Sequence, residues 1–175
     1  TLNETNMIEL IIDFIQESAL REFILWGLFN VPGLPPILQS IHIIAVATLF
    51  ASIGMISLRF LRLAVPSQSP SEMIGRLAPW MWTSLFALLL TGSAFVIARP
   101  DRYFYNPIAG IKLICLISAI SLAVVIFRFE KKHTSYWEST NARNRIAQGL
   151  SLCSILLWIC TVFAGRWIAY LDYLF

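Results

Sequence analysis

Three ionisable side chains, His42, Lys112 and Arg166, interrupt segments of the chain that are otherwise apolar and long enough to cross a membrane. An ionisable group is costly to place in hydrocarbon unless it meets a partner, water or a ligand. An imidazole can contact a cofactor or hydrogen-bond a neighbouring helix, whereas an ammonium or guanidinium group can pair with an anion. The three residue types therefore suggest a polar site, although they do not name its ligand.

Each of the three residues also has a purely structural interpretation. Arg166 and Lys112 have long side chains near span ends, so both could extend their charged groups to the membrane interface. His42 is too short to do so, but it could simply hydrogen-bond another helix. Gln39 precedes His42 by about one helical turn on the same face and completes the set of candidate cofactor-binding residues. The coincidence of three such groups favours a site over independent accidents.

The composition is typical of an integral membrane protein, because 58% of the residues are hydrophobic, 13% are charged and the mean hydropathy is +0.72. A chain of this length supplies about four spans of about 20 residues with short connections. This leaves no room for a soluble catalytic domain, and no basic patch resembles a nucleic-acid site. We predict an all-α fold in which an integral membrane four-helix bundle follows an N-terminal amphipathic interfacial helix.

The predicted bundle occupies residues 37–175, and its spans are bounded by prolines and charged residues. Prolines are typical of the first turn of a helix, and a charged Arg-Pro-Asp run after Ala98 ends the second span. Lys112 is the only charge in the third span, and Arg166 is the only one in the fourth. The predicted spans cover residues 37–58, 78–98, 107–127 and 146–170.

Residues 1–36 are predicted to form an N-terminal amphipathic helix followed by a proline-rich entry to the first span. Between Met7 and Leu28, isoleucines alternate with acidic and amide side chains before the segment becomes strongly apolar. This pattern favours one helix lying in the membrane interface over a fifth span.

The positive charges predict the orientation of the chain in the membrane. The two longer connections lie on one side and carry eight basic residues, whereas the other side carries four, with Lys112 set aside as intramembrane. Basic residues concentrate in cytoplasmic loops, so both termini are expected on the periplasmic side. The eight are Arg59, Arg62, Arg76, Arg128, Lys131, Lys132, Arg143 and Arg145, and the four are Arg21, Arg99, Arg102 and Arg166.

This topology places the three ionisable side chains at a similar depth. With a helical rise of about 1.5 Å per residue, His42 lies about 9 Å below Pro36, Lys112 about 8 Å below Pro107, and Arg166 about 6 Å from the Tyr170 end of its span. All three therefore belong to the outer leaflet, and we expect them to converge there.

Other reactive residues do not form a recognised motif. Cys115, Cys153 and Cys160 all lie inside spans without a Cys-x-x-Cys pair, so they are interpreted as packing thiols. No zinc, nucleophile or phosphate-loop pattern is present, and no catalytic residue is predicted. Passage of copper ions is disfavoured because Met55, Met73 and Met81 lie toward the inner side and do not align with His42.

Five short segments at the ends of the spans are distinctive. They are Leu38-Gln39-Ser40-Ile41-His42, Leu58-Arg59-Phe60-Leu61, Leu77-Ala78-Pro79-Trp80, Asn106-Pro107 with Ile111-Lys112, and Ala164-Gly165-Arg166-Trp167-Ile168-Ala169-Tyr170. In these segments the chain resembles a bacterial family of small four-helix membrane proteins whose function is not known. The resemblance extends over nearly the whole chain from about Leu10.

The placements of His42 and Lys112 are more distantly similar to those in the copper-resistance protein D family and in the heme-containing membrane protoporphyrinogen oxidases of bacteria. The resemblance to the oxidases implies that His42 binds a heme b iron, and that Lys112 is a second ligand or pairs with a propionate alongside Arg166. Because only one histidine lies in a span, bis-histidine ligation within one chain is excluded.

Two functions follow from these expectations. The first is a small subunit of the bacterial inner membrane that binds heme b for electron transfer. The alternative is a structural accessory subunit of a larger membrane complex, in which His42 contacts a pigment, quinone or lipid or only a neighbouring helix. Both expect membrane lipids and other membrane subunits as partners, and no nucleic acid.

Overall fold

The computed structural model describes residues 2–132, 136–168 and 170 of the chain. Every regular element in this part of the chain is helical, so the predicted all-α class is confirmed. The elements are α1 (Leu2–Gln16), α2 (Ala19–Asn30), α3 (Leu34–Phe60), α4 (Pro70–Ala98), α5 (Pro100–Phe104), α6 (Pro107–Lys132), a 3₁₀ turn (Tyr136–Glu138) and α7 (Asn141–Trp167).

Four of these helices, α3, α4, α6 and α7, are long and apolar enough to cross a membrane. At most 33% of the residues in the most apolar stretch of any one of them are buried inside the protein, so most of their apolar side chains face outward. Such a surface is stable against lipid and not against water. The chain is therefore a multi-pass membrane protein with four spans.

Local sequence signals explain where the long helices begin. Ser69 caps α4 with a capping box, because its side chain accepts a hydrogen bond from the Glu72 backbone while the Glu72 carboxylate accepts one from the Ser69 backbone. This cap starts α4 at Pro70, well before the predicted start of the second span at Ala78. Before α3, Gly33 adopts a left-handed backbone with φ of 80°, which glycine tolerates best.

The four long helices form a ring in the order α4, α3, α7, α6. The most extensive contacts join α3 to α4 and α6 to α7, and α3 also packs along α7. Contacts between α4 and α6 are few, so the ring is least tightly closed along this seam. We call the end where α5 joins α4 to α6 the α5 end, and the opposite end the loop end.

The apolar core lies toward the loop end of the bundle. Its side chains come from the second half of α3, the first half of α4, the central and later turns of α6, and α7 as far as Trp158. The large buried members nearest the α5 end are Leu49 on α3 and Trp158 on α7. At the loop end, Arg59 pairs with Glu138 at 3.2 Å and also donates to the Gln68 carbonyl. These two contacts join the connection between α3 and α4 to the connection between α6 and α7.

The N-terminal segment differs from its prediction because it forms two helices rather than one. Ser18 interrupts the helical run and caps α2, where its hydroxyl accepts a hydrogen bond from the Arg21 backbone at 3.2 Å. Helix α1 rests on α5: Ile12 is buried, and the Gln16 amide donates to both carboxylate oxygens of Asp101 at 2.9 and 3.1 Å. Helix α2 packs on α4 and α3, so both cover the α5 end.

Candidate functional site

His42 lies on α3, two helical turns before the large core residue Leu49, and its ring faces α4. The imidazole Nδ1 lies 2.7 Å from the hydroxyl oxygen of Thr91, which is buried on α4. The His42 ring is itself only partly buried. This hydrogen bond ties the two helices that form the most extensive contact in the bundle.

The second hydrogen bond of Thr91 determines the tautomer of His42. The Thr91 hydroxyl donates to the Ala87 carbonyl at 2.7 Å, which uses its single proton. With its proton used in this way, the hydroxyl accepts from His42, which assigns the proton of the neutral imidazole to Nδ1. The lone pair is therefore on Nε2, the nitrogen that can bind a metal or accept a proton.

Two further residues of α4 form the surroundings of the imidazole. Phe95 meets the ring edge-on, with centroids 6.3 Å apart and planes at 78°. Gly92 lies so close that a methyl group added there would be 3.8 Å from the His42 Cε1 atom. Thr91 thus fixes one ring nitrogen, Phe95 supports the ring, and Gly92 leaves space beside the carbon between the two nitrogens.

Lys112 lies on α6, and its side chain crosses the backbone of α7 at Gly165. A methyl group added at Gly165 would be 3.3 Å from the Lys112 Nζ atom and 3.4 Å from its Cε atom, closer than most such contacts. Glycine at this position therefore allows the lysine to lie against the helix. Because α7 packs on both α6 and α3, this contact puts Lys112 in the same part of the bundle as His42.

Arg166 makes its described contacts with Tyr170 rather than with the other two basic side chains. One guanidinium nitrogen donates to the Tyr170 hydroxyl at 2.8 Å, and the guanidinium carbon lies 5.1 Å from the ring centroid. The side chain is exposed and extends along the end of α7. This arrangement matches the snorkelling interpretation that the sequence left open.

Gln39 is exposed on α3, about one turn before His42. The hydrogen bonds described for His42 do not include it. The arrangement therefore centres on His42 and Lys112, with Gln39 and Arg166 toward the α5 end of their helices.

Small and hydroxyl side chains surround this part of the bundle. The buried residues around His42 and Lys112 are small compared with the core, and the hydroxyls of Thr91 and Thr161 bond carbonyls of their own helices. The site thus lies beyond the last large side chains of the apolar core. The small or hydroxyl residues buried toward the α5 end are Ala45, Thr91, Ala98, Thr161 and Ala164, and Ile168, just after α7, is also buried.

Sequence reasoning missed the residues that position the imidazole. Thr91 and Gly92 stand out only as a small, polar break after a run of leucines in the second span, and neither was singled out. The sequence places Gly165 beside Arg166 in the fourth span and does not link it to Lys112. Pairing these residues requires the rotation of each helix about its axis, which a single span does not specify.

The described residues contain no group of three or more histidine, cysteine or acidic side chains that could hold a metal ion. The His42 nitrogen would therefore suit a metal whose other ligands come from a prosthetic group. A chelated metal of this kind needs only one or two ligands from the protein.

Comparison with known proteins identifies the family of this chain but does not identify an activity. No curated protein and no solved structure shows a significant match to the chain, so the distant likeness to copper-resistance and oxidase proteins stays a prediction. A family match covers residues 33–171, which include all four long helices and the His42 and Lys112 arrangement. The chain therefore belongs to DUF6644, a family of unknown function.

Proposed function

We propose that this membrane protein binds heme b through the Nε2 atom of His42 and serves as an electron-transfer subunit. The observation that carries the proposal is the hydrogen bond from His42 Nδ1 to Thr91, because it leaves Nε2 with its lone pair inside an apolar bundle. Histidines that bind metals usually donate the other ring proton in this way, which fixes the ring and raises its basicity.

The residues around His42 fit the chemistry of a heme. A porphyrin supplies four nitrogen ligands, so a single histidine suffices where no cluster of protein ligands is present in the described chain. Lys112 carries a charge that can pair with a propionate, or an amine that can be a second ligand. Gly92 and Gly165 keep bulky side chains away from both groups.

When bound, the heme would supply a one-electron redox centre. The residues of this chain would hold the heme in place and keep water away from it. Thr91 fixes the orientation of the imidazole, Phe95 supports the ring, and the outward-facing apolar side chains of the bundle keep water from the centre. Burial and hydrogen bonds to the ligand are the means by which a protein tunes such a potential.

The proposed location is the bacterial inner membrane, with the site in the outer leaflet and both termini on the periplasmic side. The excess of basic residues in the two connections at the loop end supports this orientation. The α5 end, which carries His42 and Lys112, would then face the periplasm, and Arg166 and Tyr170 would lie at the outer interface.

A structural accessory role in a larger membrane complex is the alternative, and one observation favours it. The contacts between α4 and α6 are sparse, which leaves a seam where another membrane subunit can pack. In this role, the bond between His42 and Thr91 would join α3 to α4 without any cofactor. Lipids and neighbouring subunits would be the only partners.

Absorption spectra separate the two roles. We expect the protein, purified from heme-replete cells, to show a Soret band that shifts on reduction with dithionite, and His42→Ala to lose it. The chain has one other histidine, so His133→Ala is the matched control and should keep the band. A protein without pigment, or a His42→Ala variant with an unchanged spectrum, would refute heme ligation by His42.

A further inference from the structure

Two cysteines that are far apart in sequence meet between α6 and α7. The Sγ atoms of Cys115 and Cys160 are 3.4 Å apart, although 45 positions separate the residues. Sequence reasoning found no short cysteine motif and interpreted both as packing thiols. Their proximity arises only from the packing of α6 along α7, one of the two most extensive helix contacts in the bundle.

The thiol contact and the contact of Lys112 with Gly165 both lie in the interface between α6 and α7. Cys115 follows Lys112 by about one turn of α6, and Cys160 precedes Gly165 on α7. Both pairs therefore depend on one register between the two helices. A change in the distance between the two sulfur atoms would therefore act on the interface between α6 and α7 about one turn away from Lys112 of the proposed site.

The separation of the thiols is suited to bond formation. A disulfide bond is about 2.0 Å long, so the sulfur atoms need to approach by about 1.4 Å from their contact at 3.4 Å. Rotation of the two side chains about their Cα–Cβ bonds is the movement that changes this distance most directly. Cys153 lies two turns before Cys160 on α7 and is described as a free, exposed cysteine, so it provides an internal comparison.

The depth of the pair restricts what can oxidise it. Cys115 lies about 12 Å along α6 from Pro107, which places it beyond the reach of a soluble oxidoreductase. Cys160 is exposed on the outward surface of the bundle, where lipid-soluble molecules diffuse. Quinones of the membrane are lipid-soluble and accept two electrons and two protons, which is the number that two thiols release on forming a disulfide.

We propose that Cys115 and Cys160 are a redox-active thiol pair that closes into a disulfide by reducing a membrane quinone to its hydroquinone. The two S–H bonds break, one S–S bond forms, and both protons and both electrons pass to the quinone. The bond would fix α6 against α7 beside Lys112. This pair is independent of any ligand at His42, so its test does not depend on the heme proposal.

Counting free thiols tests the proposal on the full chain in lipid nanodiscs. The reduced protein is treated with a short-chain ubiquinone analogue, whose substituted ring resists addition of thiols, then denatured and labelled with a maleimide polymer that retards each labelled chain on a gel. We expect three labelled thiols before the quinone treatment and one, Cys153, after it. One hydroquinone should form for each disulfide.

Single-cysteine variants provide the controls. Cys115→Ala and Cys160→Ala should each keep two labelled thiols with or without quinone, whereas Cys153→Ala should fall from two to none. Three labelled thiols after quinone treatment, or a crosslinked dimer without reductant, would overturn the proposal. Closure by the synthetic oxidant diamide, but not by the quinone analogue, would overturn the quinone as the electron acceptor.

Discussion

The hydroxyl of Thr91 determines which nitrogen of His42 can bind a ligand. It accepts one hydrogen bond from the imidazole and donates another to the Ala87 carbonyl, so both an oxygen lone pair and its proton are in hydrogen bonds. A histidine in this environment is held in one tautomer and one orientation. The chemistry proposed for His42 therefore depends on a residue that binds no ligand itself.

Thr91→Val should weaken both the bundle and the proposed heme site. The variant removes the acceptor of the imidazole proton and leaves a polar group unpaired, which costs about 1–3 kcal/mol in unfolding free energy. Loss of an outer hydrogen bond of this type lowers metal affinity about 10- to 100-fold. Denaturant unfolding in detergent and heme titration measure the two effects.

Thr83→Val is the matched control for this prediction, because Thr83 is exposed on α4 and bonds only the Pro79 carbonyl of its own helix. It should change the unfolding free energy by less than about 0.5 kcal/mol. Equal effects of the two substitutions would mean that the bond between His42 and Thr91 has no special role.

Gly165→Ala tests the contact between Lys112 and α7. Replacing glycine with alanine inside a helix normally stabilises it by about 0.5–1 kcal/mol, and Gly110→Ala should do so because the space around Gly110 is open. Gly165→Ala should gain less, because the new methyl group displaces the lysine. The full gain should return in the Lys112→Ala background, and a double-mutant cycle of unfolding free energies measures the coupling.

At the scale of helices, the sequence predicted the type of each element better than its ends. The four apolar runs predicted the four long helices because a span must satisfy its backbone hydrogen bonds internally. The N-terminal segment was predicted as one helix because its apolar pattern continues through Ser18. That break depends on a capping hydrogen bond and on the packing of α1 against α5, which periodicity does not report.

Gln16→Ala should release α1 from the bundle. The Gln16 amide donates to both carboxylate oxygens of Asp101 and so links α1 to α5. Losing it removes about 0.5–1.5 kcal/mol, so amide hydrogen exchange in α1 should accelerate by up to about tenfold. Glu9→Gln, on an exposed position of α1, should leave exchange unchanged. Unchanged exchange in Gln16→Ala would show that Ile12 alone holds the helix.

At the scale of the whole molecule, the large apolar core and the candidate site occupy opposite ends of the bundle. Large apolar side chains fill the loop end, whereas His42, Lys112 and Thr91 lie toward the α5 end among small residues. Counting residues along each span gave His42 and Lys112 a common depth. It could not show that His42 bonds Thr91, that Lys112 lies against Gly165 or that Arg166 turns to Tyr170, because those contacts depend on helix rotation.

The orientation proposed for this asymmetric bundle rests on its charges and is open to direct measurement. Eight basic residues in the two connections at the loop end predict that this end is cytoplasmic. In a cysteine-free background, Ser67→Cys and Ser139→Cys should react with a membrane-impermeant maleimide in inverted vesicles, and Tyr105→Cys in spheroplasts. All three positions are exposed, so access to the reagent depends on the side of the membrane alone. The reverse labelling pattern would place His42 and Lys112 in the inner leaflet, and any electron donor or acceptor of the proposed heme would then be cytoplasmic.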